Sequence, residues 1–260
     1  MYICLDIGNT HIYGGVFSSS KELKVTFRYP TQVSCTSDQL GIFLKSILRE
    51  HQIEPNHVKQ ICIASVVPSI DYTVRAACLK FFDINPLFLK VGIKTGLKLS
   101  IKNPLELGAD RVANAVAALD LFPGKDLIIV DYGTATTFCA VSKGSEYLGG
   151  AIIPGIKLSM ESLFKGTAKL SAVDIVKTQV ALGKTTETQI QSGLILSQIG
   201  TTRELIAKLK VEAFPHSNCA VIATGGYAHL LEDEGLFDEI VPDLVLHGLQ
   251  VILEKNTDQS

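Results

Sequence analysis

Hydrophobic and polar positions form blocks whose period changes along the first third of the chain. Residues 2–29 are rich in β-branched and aromatic side chains and are broken by glycines and the polar segment 18–21, which predicts two or three antiparallel strands. In residues 37–51 apolar positions recur at helical spacing after a Ser/Asp pair, which indicates a capped helix. Residues 61–67 are mostly apolar up to Pro68, as in a strand covered on both faces. The predicted order is β-β-β-α-β.

This pattern recurs in the second half of the chain. The apolar segment 127–134 resembles segment 3–10, and each contains an aspartate followed two residues later by a glycine. A second pair of similar segments, 63–65 and 222–224, leads into a turn in each half. Two echoes in the same order indicate that an α/β unit is duplicated.

A helix and a turn are predicted between the two halves. Residues 108–122 show helical spacing, and the Pro-Gly-Lys-Asp sequence of residues 123–126 indicates a turn. The expected boundary therefore lies near residue 120, with an N-terminal domain of residues 1–120 and a C-terminal domain of residues 121–260.

Composition narrows the classes of protein to be considered. The 260 residues carry a formal charge of −2 and no long Lys/Arg run, so no basic surface for nucleic acid is expected. Apolar residues make up 47% of the chain but come in runs shorter than a membrane-spanning segment. The first residues lack the basic start and apolar stretch of a signal peptide. We expect a cytoplasmic protein with neither a nucleic-acid nor a membrane partner.

Cysteine and histidine do not suggest a metal cluster. The six cysteines are scattered without a C-x-x-C pair, and the six histidines include no pair at helical spacing. We expect reduced, mostly buried thiols and no structural zinc.

Two predicted strand ends carry residues suited to binding phosphate. Segments 6–10 and 131–137 each place an aspartate at the end of an apolar run, followed by glycine and hydroxyl side chains. Glycine lets backbone N–H groups approach phosphate oxygens, whereas the carboxylates need a cation between themselves and a triphosphate. A single such segment is equally an ordinary hairpin turn, but two copies favour a pair of phosphate loops with magnesium at Asp6.

Three further segments allow both structural and functional interpretations. Gly225-Gly226 could pack against an adenine or ribose, or could form a strand-to-helix turn. Residues 149–155 suggest a strand, a turn and a helix entry, and no catalytic role is assigned to them. Asp110 could cap the predicted helix, and a helix start would also hold it rigidly as a catalytic carboxylate, so the two roles are compatible; its neighbour Arg111 could bind an anion.

Five motifs in this order resemble those of the type III pantothenate kinases. They are segments 6–10, 108–111, 131–137, 149–155 and 223–226. The first and third alone would fit many members of the acetate kinase, sugar kinase, Hsp70 and actin superfamily. The combination of Gly-Ala-Asp-Arg with Gly-Gly-Ala-Ile-Ile-Pro-Gly is much narrower.

The resemblance implies an α/β fold of two RNase H-like domains of the actin-like ATPase type, with a cleft between them. It implies a homodimeric pantothenate kinase that transfers the γ-phosphoryl group of ATP to pantothenate in the first step of coenzyme A biosynthesis. Asp110 would be the catalytic proton acceptor. Asp131 would bind a monovalent cation (K⁺ or NH₄⁺), and Asp6 would bind Mg²⁺. ATP would contact Asp6, Ile7, Gly8, Asn9, Thr10, His11, Ile12, Tyr13 and Thr134. Pantothenate would contact Gly108, Ala109, Asp110, Arg111 and Thr186.

The sequence departs from the family pattern at two positions, one of them outside these motifs. Ile101 stands where many members carry a tyrosine that contacts pantothenate, so its phenol hydrogen bond is absent. His11 occupies a loop position where a small amide is usual. Two alternatives are a kinase for another small hydroxylated substrate and a non-enzymatic accessory regulator of the same fold. The aspartates at 6, 110 and 131 argue against the regulator.

The position of Asp110 at a helix start raises an expectation about its acidity. The helix dipole favours the ionised carboxylate and would make it a weak base. Phosphoryl transfer tolerates a weak base, because the attacking hydroxyl keeps its proton until late in a loose transition state.

Overall fold

The computed structural model describes residues 1–257, which form two compact units. Unit 1 comprises Met1–Gly96, Asn103–Asp120 and the segment that begins at Leu244, and unit 2 comprises Leu97–Lys102 and Leu121–Asp243. Each unit is built around one mixed β-sheet with helices packed against it.

Strands and helices alternate in blocks along the described residues. The strands are β1 (Tyr2–Ile7), β2 (His11–Phe17), β3 (Leu23–Pro30), β4 (Gln60–Ser65), β5 (Leu87–Phe88), β6 (Lys98–Leu99), β7 (Asp126–Tyr132), β8 (Ala135–Ser142), β9 (Glu146–Pro154), β10 (Cys219–Thr224) and β11 (Glu239–Ile240). The helices are α1 (Ser37–Glu50), α2 (Pro68–Phe82), α3 (Ala109–Leu121), α4 (Ile156–Gly166), α5 (Thr186–Ala213) and α6 (Leu244–Thr257). Short 3₁₀ turns lie at Pro55–His57, Pro104–Glu106 and Ala228–Glu234.

The sheet of unit 1 has the strand order β3-β2-β1-β4-β5. β1, β2 and β3 form an antiparallel meander, which confirms the predicted β-rich start, and β4 adds parallel to β1. Helices α1 and α2 bury Leu44 and Val74 against Ile3 and Ile63 on one face of the sheet. The cap of α1 is Thr36, whose hydroxyl accepts from the N–H of Gln39, and not the predicted Ser/Asp pair.

Helix α6 covers the opposite face of the same sheet. Gly15 lies across from Cys4 in the register, and a Cβ added there would lie 2.8 Å from Leu246 of α6. Within this layer Gly248 packs so closely on α3 that an added Cβ would lie 1.9 Å from the Ala113 carbonyl oxygen. Because both faces are covered, β1 and β4 can be apolar almost throughout.

The sheet of unit 2 has the order β11-β10-β7-β8-β9-β6. β7, β8 and β9 form an antiparallel meander, and β10 is parallel to β7. Helix α5 packs Ile195 and Ile199 against Val130 and Tyr132 of β7. Apart from the edge strand β6, the order and directions of the strands match those of unit 1, so the duplication is confirmed.

The similarity between segments 63–65 and 222–224 is shifted by one residue relative to the pairing of the strands. Asp6 pairs with Ala64 across β1 and β4, whereas Asp131 pairs with Thr224 across β7 and β10. The sequence comparison had matched Thr224 with Ser65 instead. A shift of one residue moves a side chain to the other face of a sheet, so the register and not the sequence echo defines the equivalent positions.

The division into units differs from the expected domains at two places. The chain passes from unit 1 to unit 2 between Asp120 and Leu121, which is the expected boundary. However, Leu97–Lys102 belongs to unit 2 because β6 pairs with β9, and α6 belongs to unit 1 because it covers β1 and β4. Residues 258–260 of the expected second domain lie outside the described residues.

Two further features concern the state of the cysteines and the length of the apolar helices. All six cysteines are outside disulfides, and five of them are buried, with Cys35 half-buried. Between residues 1 and 257, no helix combines the length and the apolar character needed to cross a membrane.

Candidate active site

The first candidate phosphate loop is the turn between β1 and β2. The Gly8 N–H donates to the His11 carbonyl at 3.1 Å, and the Thr31 hydroxyl donates to the Gly8 carbonyl at 2.7 Å. Asn9, Thr10 and His11 are exposed, so this part of the turn is accessible to a ligand. The turn is therefore a hairpin between two antiparallel strands. It is also exposed, and its position is fixed by the hydrogen bond from Thr31.

The residues predicted to contact ATP in this loop differ in burial and in the charged groups beside them. Ile7 and Ile12 are buried in the core of unit 1, so their side chains cannot contact a ligand. Asp6 is half-buried at the end of β1. Tyr13 lies under the guanidinium of Arg28, whose carbon is 4.3 Å from the ring centroid. Arg28 thus brings a positive charge close to this loop, a feature that sequence analysis missed.

Asp110 lies in the first turn of α3 and is closely surrounded. Its Oδ1 accepts a hydrogen bond from the Arg111 N–H at 2.8 Å. A Cβ added at Gly108 would lie 2.4 Å from the same Oδ1, so only glycine leaves room for this carboxylate position. This accounts for the glycine of the Gly-Ala-Asp-Arg motif, because a side chain there would displace the carboxylate of its aspartate.

Burial determines the acidity of Asp110. Loss of solvent raises the pKa of the carboxyl group, while the N–H group and the charge of Arg111 oppose the rise less strongly. The expectation from the helix dipole was therefore wrong in direction: this carboxylate is a stronger base than an ordinary aspartate.

The segment around Asp110 adjoins the end of β1. The Val66 N–H donates to the Ile7 carbonyl at 3.0 Å, and the Val66 side chain would lie 3.7 Å from a Cβ at Gly108. An open cavity of about 380 Å³ borders Gly108 and Ala109, with Lys90 among its other lining residues. Unit 1 therefore brings the first loop, the Asp110 segment and a cavity to one edge of its sheet.

The second candidate loop follows β7 in unit 2. Asp131 is half-buried, Thr134 is exposed, and the Gly133 N–H donates to the Ala135 carbonyl at 3.1 Å. Gly155 donates its N–H to the Thr134 carbonyl at 3.1 Å, and a Cβ there would lie 2.4 Å from that oxygen. The glycine at the end of segment 149–155, to which no role had been assigned, thus supports the loop directly.

Gly225 supports the same loop from another strand. It has φ of +89°, and an added Cβ would lie 2.5 Å from the Asp131 carboxylate oxygen and 2.6 Å from the backbone nitrogen of Tyr132. Its neighbour Gly226 has nothing within 4 Å of an added Cβ. The pair forms a turn into the 3₁₀ segment Ala228–Glu234, and its first glycine also packs on Asp131.

Thr186 is exposed as the first residue of α5. Thr185 caps this helix, its hydroxyl accepting from the Thr188 N–H at 3.2 Å. Gly183 packs against the first turn, where an added Cβ would lie 2.5 Å from the Gln189 backbone nitrogen. The Gly-Lys-Thr-Thr sequence therefore forms a fixed helix start with an accessible threonine.

The candidate cation sites are single carboxylates. No group of three or more Asp, Glu, His or Cys side chains able to hold a metal occurs within residues 1–257. Asp6 and Asp131 fit ions that take their remaining ligands from phosphate, backbone carbonyls and water, as Mg²⁺ beside a nucleotide commonly does.

Comparison with solved structures identifies the fold. A chain from Campylobacter jejuni described as a Baf family transcriptional activator aligns with TM-score 0.62 and 20% identity over 98% of this chain and 99% of its own. One described as a 2-dehydro-3-deoxygalactonokinase from Sinorhizobium meliloti aligns with TM-score 0.58 and 12% identity over 98% of both chains. The fold is that of the actin-like ATPases and sugar kinases, with two RNase H-like units.

Comparison with curated proteins identifies the family. A type III pantothenate kinase 1 from Francisella tularensis subsp. holarctica (strain OSU18) is 54% identical over 256 residues, covering 98% of this chain and 100% of its own. A type III pantothenate kinase from Legionella pneumophila (strain Corby) is 50% identical over 257 residues, covering 99% and 100%. The family model for type III pantothenate kinase matches residues 2–208, which include both loops and the Asp110 segment. With full-length relatives at this identity and the motif residues at its two sheet edges, the chain belongs to the type III pantothenate kinase family.

Proposed function

We propose that this chain transfers the γ-phosphoryl group of ATP to the primary hydroxyl of pantothenate. Family membership at 50–54% identity over nearly the whole chain supports this substrate. The observation that carries the chemistry is the Asp110 carboxylate, which accepts from the Arg111 N–H in a space that Gly108 leaves open and is made more basic by burial.

In the proposed reaction the pantothenate hydroxyl oxygen attacks the γ-phosphorus of ATP. A P–O bond to pantothenate forms, the P–O bond to ADP breaks, and the hydroxyl proton passes to the Asp110 carboxylate. Asp110 mainly orients the hydroxyl and accepts its proton as the oxygen becomes acidic. A raised pKa suits this step because general bases act best when their pKa lies near the working pH.

The two loops would hold the nucleotide through different groups. Asn9, Thr10 and His11 form an exposed part of the first loop, and Arg28 supplies charge beside Tyr13. Thr134 is an exposed residue of the second loop. Magnesium at Asp6 would neutralise charge on the phosphates, and K⁺ or NH₄⁺ would lie at Asp131.

Pantothenate would be held by the segment 108–111 and by Thr186. The cavity beside Gly108 and Ala109 offers space next to this segment, and Arg111 is suited to an anionic group of the substrate. A homodimer, in which Thr186 serves the neighbouring subunit, and a cytoplasmic location stay predictions of the family resemblance.

The proposed function is tested with purified protein, ATP, magnesium and potassium. ADP release should require pantothenate, and an analogue that lacks the primary hydroxyl should give only background release. ADP release that is the same with and without pantothenate, or that is faster with another small hydroxylated acid or sugar, would contradict the proposal.

A further inference from the structure

Two polar side chains of α5 are buried against the sheet that carries the second loop. Gln198 and Thr202 lie one helical turn apart and are 5% and 0% exposed. The Thr202 hydroxyl hydrogen-bonds the Tyr132 hydroxyl at 2.7 Å. Gln198 makes two hydrogen bonds to different strands. Buried amides need partners for both their oxygen and their nitrogen, so the positions of Gln198 and its partners are mutually fixed.

The two bonds of Gln198 go to β8, which follows the Thr134 loop, and to the last residue of β9. The Thr136 hydroxyl, on β8, donates to Gln198 Oε1 at 3.3 Å. Gln198 Nε2 donates to the Pro154 carbonyl, at the end of β9, at 3.0 Å. Thr136 is two residues after Thr134, and Pro154 directly precedes Gly155.

The chain of contacts continues from Pro154 to the loop itself. The Gly155 N–H donates to the Thr134 carbonyl at 3.1 Å, and Gly155 packs too closely on that carbonyl for any Cβ. Moving Pro154 would therefore move Gly155 and, through it, Thr134. The buried amide of Gln198 is thus linked to this loop by two routes, one through Thr136 and one through Pro154 and Gly155.

We infer that Gln198 is a positioning residue for nucleotide binding, which fixes the Thr134 loop through Thr136 and through Pro154 and Gly155. The inference rests on the proposed function only in that Thr134 belongs to the ATP site. It assigns Gln198 no contact with ATP. It predicts that loss of the amide weakens nucleotide binding more than it slows the transfer step.

Gln198→Leu keeps the approximate size of the side chain but removes both hydrogen bonds. We expect Kd for Mg-ATP, measured by titration calorimetry without pantothenate, to rise about tenfold, the scale of one or two lost hydrogen bonds. KM for ATP should rise in parallel, while kcat and KM for pantothenate stay within about threefold, since the Asp110 segment lies in the other unit.

Ser192→Ala is the control, because Ser192 is also buried on α5 and its hydroxyl donates to the Thr188 and Val180 carbonyls, outside the Thr134 loop. Both variants should unfold at lower temperature, but Ser192→Ala should leave Kd for Mg-ATP within about twofold of wild type. A similar rise in Kd for both variants would show that general packing of α5 is responsible, and would overturn the inference. An unchanged Kd in folded Gln198→Leu would overturn it too.

Gln198→Glu gives an independent test that works even if Gln198→Leu fails to fold. An ionised Glu would repel the Pro154 carbonyl, whereas a protonated Glu can donate to it. Burial raises the pKa of such a carboxyl group, so the excess Kd over wild type should shrink as pH falls from about 8 to about 6. An excess that does not depend on pH would contradict the assignment. Because ATP binding is measured directly, failure to phosphorylate pantothenate would leave this result intact.

Discussion

Asp110 experiences two opposing influences on its acidity. The N–H group and charge of Arg111 favour the ionised carboxylate, while burial disfavours it more strongly and raises the pKa. A buried carboxylate of this kind is costly for folding above the ordinary aspartate pKa. Its contribution to stability is present below that pKa and is lost as pH rises toward the raised value in the folded protein.

Asp110→Asn should therefore separate stability from activity. We expect kcat to fall roughly 100-fold to 10,000-fold, the usual span for a positioned base, with little change in ATP affinity. At neutral pH the thermal midpoint should be equal to or above that of wild type, because a buried charge is removed while the acceptor for the Arg111 N–H remains.

The pH dependence provides the accompanying check on Asp110. The wild-type rate should fall as pH drops through the raised pKa, since the protonated carboxyl group cannot accept a proton, and Asp110→Asn should lack this decline. A kcat within threefold of wild type, measured at saturating ATP and pantothenate on folded protein, would contradict the catalytic role.

Gly108 is predicted to matter through the space that it leaves for the Asp110 carboxylate. Gly108→Ala would place a Cβ 2.4 Å from Oδ1 and force the carboxylate to move. Since a displacement near 1 Å can cost about 100-fold in rate, we expect kcat to fall by about that factor. Gly200→Ala in α5 is the control, because an added Cβ there has nothing within 4 Å and should leave kcat unchanged. Equal rates in the two variants would remove this explanation of the motif.

At the scale of elements, the second loop is held by neighbouring strands and turns rather than by its own sequence. Gly155, at the end of β9, packs on the Thr134 carbonyl, and Gly225, after β10, packs on the Asp131 carboxylate. The antiparallel register of β8 and β9 fixes the first of these contacts, and the parallel register of β7 and β10 fixes the second. The geometry proposed for the monovalent cation therefore depends on a turn that lies far along the chain from Asp131.

Gly225→Ala should disturb the proposed cation site, whereas Gly226→Ala should not. The first change introduces a Cβ 2.5 Å from Asp131 Oδ1 at a φ that favours glycine, and the second meets nothing within 4 Å. We expect wild type and Gly226→Ala to work faster in potassium than in sodium, because the larger ion suits a roomier oxygen cage. Gly225→Ala should lose most of this difference, as Asp131→Asn should. Equal wild-type rates in potassium, ammonium and sodium would rule out the cation site.

At the scale of the whole molecule, unit 2 carries exposed apolar side chains that suit an association between copies. On α4 and the segment that follows it, Leu158, Leu163, Phe164, Val180 and Leu182 are at least 40% exposed. Exposed apolar groups that recur on neighbouring segments favour an interface, and closed symmetric dimers are the commonest assembly of soluble proteins.

Sedimentation should accordingly give about twice the chain mass of 28.1 kDa. Phe164→Glu should shift the protein toward the monomer and lower its activity, since a charge on an apolar interface is costly to bury. Val211→Glu, at a similarly exposed position near the end of α5, should leave the dimer unchanged. A fully active wild-type monomer would rule out the proposed dimer.

The sequence by itself determined the elements and the motifs that short-range physics controls. The meander of residues 2–30, the helix α1, the buried strand β4 and the duplication followed from periodicity, glycines and repeated acidic strand ends. The family was recognisable because its motifs are local strings with fixed side-chain chemistry.

Only the tertiary structure decided which distant groups meet and how they are solvated. Helix α6 belongs to unit 1 and not to the expected second domain, because it packs on β1 and β4. The periodicity of a helix does not show which sheet it will cover. The tertiary structure brought Gly155 and Gly225 to the second loop and linked Gln198 to it, contacts that sequence spacing does not encode. It also reversed the expected acidity of Asp110, because a helix start is visible in sequence whereas burial is a property of the folded surroundings.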